Sequence, residues 1–376
     1  MLSAALDVFR LRQYFDVLAR GREVLAGIGE DWGFLNDARR ALVRLPGEGG
    51  RPVRSPFPPT DHLELPGLEG RRVALMATGG SGALASVVGA ARALEEAGVR
   101  PAVMTLCSGS SMFGFPLAAG LPAGEVADFC LSLQPGDYVD VDWAALARLG
   151  PTGARGFAGI IRGERLEASY RRLLGDMRLG ELTIPAYAPI WNIERNRTEY
   201  LGPRTFPDVT VARAVRMAVS LPLFIEPVEL AGSHWSDGGI VDIFPVRPVL
   251  DIEPPPDVAV AVNGFYPPGF AGEDASGWED RRASILYVAS QVRTCQQVEL
   301  ARANLARLKE RVEVVAIEPV PYSKVRGVGF YRQFLTTRDW ADFMLAGRSE
   351  ARRALRSGYG PAGHFGPVRA GDGALS

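Results

Sequence analysis

The sequence predicts an α/β fold in which helices cover a mostly parallel β-sheet. Two apolar runs without polar alternation, Val73 to Ala77 and Ala102 to Leu106, have the pattern of central strands that are buried on both faces. Each run leads into a turn of small residues and then into an apolar helix, so two strand–turn–helix units follow one another. Since such units form parallel sheets, both turns are expected at the same end of the sheet.

The composition predicts a globular protein with a large core, because 47% of the 376 residues are hydrophobic and 23% are charged. The formal net charge of −1 offers no basic surface for a polyanion, which argues against nucleic acid as a partner. The three cysteines and three histidines do not form a group with metal-ligand spacing. We therefore expect no metal and no cofactor, and the cysteine usage favours a reducing compartment such as the cytoplasm.

Two stretches without charge, Val73 to Ala91 and Pro101 to Gly124, are long enough to raise the question of membrane spans. Glycine and serine punctuate both stretches and prolines interrupt the second, so we interpret them as buried units of a water-soluble fold. Met1 to Arg20 contains charges that interrupt the apolar core of a secretory signal. The sequence therefore predicts a cytoplasmic protein without a membrane-spanning segment.

The chain divides by composition into three parts. We expect a helical extension and a linker rich in proline and glycine over residues 1–66, the α/β domain over 67–357, and a flexible tail over 358–376. The apolar face of the N-terminal helix either docks on the main domain or lies on a bilayer surface, and the sequence leaves both alternatives open.

The remaining elements follow from helical spacing or from apolar runs. Thr183 to Trp191 is interrupted by prolines, which favours a strand near a sheet edge, and Asn192 to Thr198 has the pattern of a hairpin turn. Further buried strands are expected at Val258–Val262 and Val312–Ile317, and helices at Asp142–Leu149, Arg165–Leu174, Val209–Ser220, Glu279–Lys309 and Asp339–Arg356.

The turn after the first strand, Thr78 to Gly82, is rich in glycine and opens a helix predicted over Ala83 to Ala97. Backbone amides at such a turn can bind an anion, either a nucleotide phosphate or an oxyanion. The turn lacks the Gly-Lys-Ser/Thr end of a P-loop and does not complete the dinucleotide fingerprint. A nucleotide-binding α/β protein therefore remains one alternative.

The turn after the second strand carries Ser108, Ser110 and Ser111. A strand, a sharp turn of small residues and a helix can lift a serine hydroxyl to the top of a sheet as a nucleophile. The residues alone leave these three serines in competition for that role. Further along, Asp237-Gly238-Gly239 has the pattern of a tight turn, and His234, beside a tryptophan, has that of a packed or hydrogen-bonded side chain.

Four segments of the chain resemble the patatin-like phospholipases, in the order in which that family has them. They are Ala74 to Gly82; Cys107-Ser108-Gly109-Ser110; Ala218-Val219-Ser220-Leu221-Pro222; and Ser236-Asp237-Gly238-Gly239 followed by Phe244-Pro245-Val246. The resemblance implies a three-layer α/β/α domain that hydrolyses acyl esters of lipids through an acyl-enzyme intermediate, with a serine–aspartate dyad and no catalytic histidine. It also implies a lipid or acyl-ester substrate and peripheral contact with a membrane.

The resemblance assigns a role to individual positions. Counting back from the family's helix end, which matches Ala118-Ala119-Gly120, favours Ser108 as the nucleophile over Ser110 and Ser111. Asp237 matches the base of the dyad. The oxyanion hole matches the glycine-rich turn, with Gly79, Gly80, Ser81 and Gly82.

The chain departs from the family pattern at two places. The family's Gly-x-Ser-x-Gly elbow reads Leu106-Cys107-Ser108-Gly109-Ser110, so a leucine side chain needs room where the family has its first glycine. A serine in the last place also occurs in the resembling cytosolic phospholipase A2 group. The Arg or Lys that usually follows the family's glycine turn is replaced by Gly82-Ala83. These departures leave a second alternative, a catalytically silent patatin-like protein that binds a lipid or a partner.

Overall fold

The computed structural model describes residues 54–59, 62–142, 158–270, 285–325 and 328–356. Most of the predicted N-terminal extension, the predicted helix at Asp142–Leu149 beyond its first residue, and the predicted tail lie outside these residues. Among the described residues, no helix has the length and apolar character that are needed to cross a membrane.

A mixed sheet of eight strands forms the centre of the molecule. The strands are β1 (Val73–Ala77), β2 (Val103–Thr105), β3 (Ala186–Asn192), β4 (Arg197–Leu201), β5 (Val228–Leu230), β6 (Ser233–Asp237), β7 (Val258–Val262) and β8 (Glu313–Ile317). Their order is β5-β6-β3-β2-β1-β7-β8, with β4 also paired to β3. The pairings among β3, β2, β1, β7 and β8 are parallel, and those of β4, β5 and β6 are antiparallel. The predicted mostly parallel sheet is confirmed.

Ten α-helices accompany the sheet in the described part of the chain. They are α1 (Ser86–Glu96), α2 (Ser110–Ala118), α3 (Ala123–Ser132), α4 (Glu164–Leu174), α5 (Val211–Ala218), α6 (Arg247–Leu250), α7 (Ile285–Lys309), α8 (Tyr322–Val325), α9 (Val328–Leu335) and α10 (Trp340–Arg356). A 3-10 turn over Gly82–Ala85 leads into α1, where the sequence predicted one continuous helix.

Each face of the sheet carries its own hydrophobic core. In β1, Val73, Leu75 and Ala77 belong to the core shared with α1, α2, α3, α5 and α10, whereas Ala74 and Met76 belong to the core shared with α6 and α7. All five residues of β1 are buried. The apolar run without alternation therefore reflects a strand with helices on both faces, and the three-layer α/β/α architecture is confirmed.

The expectation that the strand with prolines lies near an edge is wrong, because β3 lies inside the sheet between β6 and β2. Ala186 and Tyr187 pair with β2, and the pairing with β6 begins only at Ile190. Pro189 falls between these two pairings. The missing amide hydrogen of a proline is tolerated there because β3 exchanges one neighbour for another at that point.

The C-terminal helix α10 is held against α1 by a buried ionic cluster. Glu96, 2% exposed at the end of α1, forms ion pairs with Arg92 at 3.2 Å and with Arg348 at 2.9 Å, and also contacts Arg352. A buried carboxylate requires such partners, because its desolvation would otherwise be costly. The cluster fixes the position of α10, whose first residue forms one wall of the pocket described below.

Candidate functional site

Ser108 occupies a strained turn between β2 and α2. Its φ is 50°, a left-handed conformation that is uncommon for a residue with a side chain. Ser108 is half-buried and borders a pocket, whereas Cys107 and Gly109 on either side are buried. The turn therefore presents the Ser108 side chain to the pocket, in the geometry of a nucleophile elbow.

The other two serines of this turn have structural positions. The Ser110 hydroxyl accepts a hydrogen bond from the Cys107 amide at 2.7 Å and lies 2.9 Å from the Cys107 carbonyl oxygen, to which it donates. Ser111 is fully buried in the first turn of α2. Of the three serines, Ser108 is the one that borders the pocket.

Leu106 fits below the elbow because α2 carries a glycine opposite to it. Leu106 is fully buried, and a Cβ built on Gly114 would lie only 2.1 Å from its Cδ2 atom. The volume that a side chain at position 114 would need is therefore filled by the leucine. The room that the sequence required for Leu106 is provided within the same strand–turn–helix unit.

The glycine-rich turn lies directly against the elbow. A Cβ on Gly109 would be 2.2 Å from the carbonyl oxygen of Gly80, so the two turns touch at their backbones. The Gly79 amide donates to the Ile243 carbonyl at 3.0 Å. The amides of Gly80 and Ser81 have no acceptor among the described residues, and both residues border the pocket together with Ser108.

Asp237 ends β6 on the other side of Ser108, and it is 1% exposed. Its Oδ1 atom accepts a hydrogen bond from the Gly239 amide at 2.8 Å. A Cβ built on Gly239 would lie 3.0 Å from Asp237 Oδ1 and 3.6 Å from Ser108 Cβ. Gly239 therefore sits between these two residues, and the fold brings together the serine and the aspartate that the sequence predicted.

His234 stays outside this constellation. It is exposed, and its Nδ1 atom lies 2.6 Å from Glu194 Oε1 in the hairpin between β3 and β4. The sequence left two expectations for His234, a packed or a hydrogen-bonded side chain, and the hydrogen-bonded one is confirmed. His62 is exposed as well.

Three polar side chains that the sequence did not point to hold the segment after Asp237. Gln297 of α7 donates to the Gly239 carbonyl at 2.7 Å. Asn304 of α7 donates to Asp242 Oδ1 at 3.0 Å, and the Tyr200 hydroxyl donates to Asp242 Oδ2 at 2.6 Å. Burial raises the pKa of Asp242. These contacts fix the turn that carries Asp237. No local sequence motif indicates them.

The thiol of Cys107 is next to the candidate nucleophile but has the wrong electrostatics for that role. It is fully buried, and its Sγ donates to the Asp242 carbonyl at 3.5 Å. Burial, and then the charges of Asp237 and Asp242, raise the pKa of the thiol well above its ordinary value. The thiol therefore stays protonated, whereas a reactive cysteine needs a thiolate.

The pocket beside Ser108 holds about 610 Å³, including the space open to solvent at its mouth. Its described lining is uncharged and mostly apolar: Gly80, Ser81, Gly82, Ser108, Gly109, Met112, Tyr138, Ile161, Val219, Leu221, Phe224, Ile225, Phe330, Gln333, Phe334 and Trp340. A Cβ on Gly82 would lie 2.0 Å from Trp340 Nε1. Trp340, the first residue of α10, therefore packs on the turn at Gly82. Position 82 is one of the two positions, with 83, at which the resemblance implies an arginine or a lysine.

The chain is similar to a known protein family and to individual relatives. Residues 75–250 match the model of the family described as patatin-like phospholipase. An uncharacterized NTE family protein of Mycobacterium tuberculosis is 28% identical over 107 residues, which are 28% of each chain, so the match spans about a quarter of that relative. The uncharacterized protein YqhO of Bacillus subtilis is 26% identical over 200 residues, which cover 44% of this chain and 66% of YqhO.

Two solved structures show a more distant similarity. VipD from Legionella pneumophila aligns with a TM-score of 0.43 and 15% identity over 85% of this chain and 73% of VipD. Human GIVD cytosolic phospholipase A2 aligns with a TM-score of 0.37 and 10% identity over 93% of this chain and 64% of that enzyme.

Proposed function

We propose that the protein hydrolyses acyl esters of lipids, because it belongs to the patatin-like phospholipase family through residues 75–250. Ser108 acts as the nucleophile, Asp237 as the base, and the amides of Gly80 and Ser81 in the glycine-rich turn as the oxyanion hole. The observation that carries this proposal is the left-handed φ of Ser108 at an elbow that faces an apolar pocket, with Asp237 next to it across Gly239.

In the proposed reaction, Asp237 accepts the proton of Ser108 Oγ while this oxygen attacks the ester carbonyl carbon. The carbonyl oxygen becomes an oxyanion, and the amides of Gly80 and Ser81, which have no other acceptor in the described chain, donate to it. The tetrahedral intermediate expels the alcohol, which takes the proton from Asp237, and an acyl-enzyme remains. Water then attacks the acyl-enzyme with the same base, and Ser108 is regenerated as the fatty acid leaves.

The Gly79 amide has a structural part in this scheme. It already donates to the Ile243 carbonyl, so it ties the oxyanion turn to the segment that follows Asp237. An oxyanion donor must be aligned before the reaction, because reorientation during the reaction would raise the barrier. The contribution of one such donor is typically on the order of 3 kcal/mol of transition-state stabilisation.

The catalytically silent alternative rests on the turn without a basic residue, where Trp340 packs on Gly82. In that alternative the pocket binds a lipid without cleaving it. A nucleotide-binding protein stays an alternative from the sequence. Peripheral contact with a membrane stays a prediction. A nucleotide phosphate at Gly79–Gly82 would lie next to the uncharged lining of the described pocket.

Labelling with a fluorophosphonate and hydrolysis of a short-chain aryl ester test the proposal. We expect that the wild type is labelled and active, and that Ser108→Ala loses both properties. Ser111→Ala serves as the matched control, because Ser111 does not border the pocket and its hydroxyl has no hydrogen-bond partner among the described residues, and this variant is expected to remain labelled. Labelling of Ser108→Ala would refute the assignment of the nucleophile, and a folded wild type that binds lipid without labelling would favour the silent alternative.

A further inference from the structure

Two buried polar side chains interrupt the otherwise apolar pocket. Gln333 of α9 and Ser81 of the glycine-rich turn are each 4% exposed, and both border the pocket together with Ser108. The neighbours of Gln333 in the lining are Phe330, Phe334 and Trp340. A glutamine and a serine in such surroundings need hydrogen-bond partners, because a buried polar atom without one is costly.

The orientation of the Gln333 amide follows from its contact with Asp339. Gln333 Nε2 donates to Asp339 Oδ2 at 2.9 Å. Since a carboxylate accepts hydrogen bonds and the glutamine oxygen cannot donate one, the amide nitrogen must face Asp339. Gln333 Oε1 therefore points away from Asp339, and it has no hydrogen-bond partner among the described residues. The same holds for Ser81 Oγ.

Ser81 and Gln333 are carried by adjoining backbone segments of the pocket wall. A Cβ on Gly82, the residue after Ser81, would lie 2.3 Å from the carbonyl oxygen of Gln333. Trp340 Nε1 donates to that same carbonyl at 3.2 Å and so fixes α9 against the turn. The backbone of Gln333 therefore adjoins the residue that follows Ser81, and both Gln333 and Ser81 border the pocket together with Ser108.

We propose that Gln333 Oε1 and Ser81 Oγ bind a hydroxyl group of the substrate, which donates to the glutamine oxygen and accepts from the serine. The inference rests on the proposed function and assigns its substrate class: an uncharged acyl ester that carries a hydroxyl, either on the alcohol, as in a monoacylglycerol, or on the acyl chain. The described lining suits an uncharged molecule, because an ionised phosphate would lose its hydration against apolar side chains.

Three matched esters test this selectivity and separate its two sources. Propyl decanoate has no hydroxyl, 1-decanoylglycerol has hydroxyls on the alcohol, and propyl 3-hydroxydecanoate has one on the acyl chain. We expect kcat/KM of the wild type to be about tenfold higher for one of the hydroxylated esters than for propyl decanoate. In Gln333→Leu this ratio falls to about one. Gln296→Leu, the same substitution at an exposed position of α7, keeps the wild-type ratio.

Binding of the three corresponding ethers, which contain CH2 in place of the ester carbonyl, gives a readout that does not depend on catalysis. Calorimetry on the wild type is expected to show about tenfold tighter binding of the preferred hydroxylated ether than of decyl propyl ether, and Gln333→Leu should lose this difference. If no ester is cleaved but the ether preference is present, the proposed hydrolase fails and the hydroxyl site stands. If esters are cleaved and neither hydroxylated compound is preferred in either assay, the hydroxyl site is refuted and the hydrolase stands.

Discussion

The substitution Gly114→Ala tests whether the packing of Leu106 against α2 supports the elbow. The new Cβ would lie 2.1 Å from Leu106 Cδ2, 2.7 Å from Cδ1 and 2.9 Å from Cγ. All three distances are well below ordinary van der Waals contact. Because Leu106 is fully buried, its side chain cannot turn toward solvent, so either the strand end or the helix must move.

The expected free-energy change is the difference between two effects. Alanine in place of glycine inside a helix stabilises by roughly 0.5–1 kcal/mol, because the unfolded chain loses freedom. Overpacking of a well-filled core costs typically 1–3 kcal/mol, and here the overlap involves three atoms of one side chain. We therefore expect Gly114→Ala to lower the free energy of unfolding by about 1–2 kcal/mol and to reduce activity, since the shift displaces the residues next to Ser108.

A double-mutant cycle with Leu106→Ala isolates this contact. Leu106→Ala alone removes the atoms that the new methyl group would meet and costs about 2–5 kcal/mol through the cavity it leaves. The double variant should be less destabilised than the sum of the two single variants by about 1–3 kcal/mol, as urea unfolding of all four proteins would measure.

Gly124→Ala in α3 is the matched control, because a Cβ there would meet nothing closer than 3.9 Å. It should gain the helix contribution of about 0.5–1 kcal/mol without overpacking. An equal gain in Gly114→Ala, or additive effects in the cycle, would show that the leucine and the glycine do not compete for space.

Two further predictions concern strain and pH. Ser108→Gly should be more stable in urea than Ser108→Ala by about 1 kcal/mol, because glycine adopts the φ of 50° freely, and equal stabilities would refute strain at the elbow. Burial raises the pKa of Asp242 above its ordinary value of 3.8, so the folded state binds its proton more readily than the unfolded state. This contribution to stability is present at low pH and is lost as the pH rises through the raised pKa. The pH dependence of the urea midpoint above pH 3.8 should therefore lack this component in Asp242→Asn, and an unchanged profile would contradict the assignment.

The elements that the sequence predicted best are those that a single pattern determines. Val73–Ala77 and Val258–Val262 are strands with the predicted ends, because a strand with helices on both faces must be apolar throughout. The helix predicted at Val209 to Ser220 extends over Val211–Ala218, and the hairpin turn after Asn192 connects β3 to β4. The prediction of an edge position for β3 failed because it considered the prolines without the neighbouring strands. The free-energy cost of a proline in a strand depends on whether a neighbouring strand has a carbonyl that would have accepted the missing hydrogen bond.

The parts of the site that the sequence did not indicate are contacts between distant elements. Gln297 and Asn304 stand in a long helix, where single polar residues have the pattern of a solvated face, yet both reach the segment after Asp237. Gln333 likewise stands in a short helix without a motif. Such residues become meaningful only when the fold shows which buried carbonyl, carboxylate or pocket lies opposite to them.

The packing of Leu106 against Gly114 shows how the turn at Ser108 accommodates a large side chain at position 106. The turn needs a small residue on one side of the contact between the strand end and the following helix, since two large side chains cannot share that volume. In this chain the glycine stands at position 114 and the large side chain at position 106. The steric condition therefore applies to positions 106 and 114 together. A sequence search that requires a glycine two residues before the serine misses a chain in which the glycine stands at position 114 instead. The left-handed φ of Ser108 then persists, because the buried leucine and the Ser110 hydrogen bonds hold the turn on both sides.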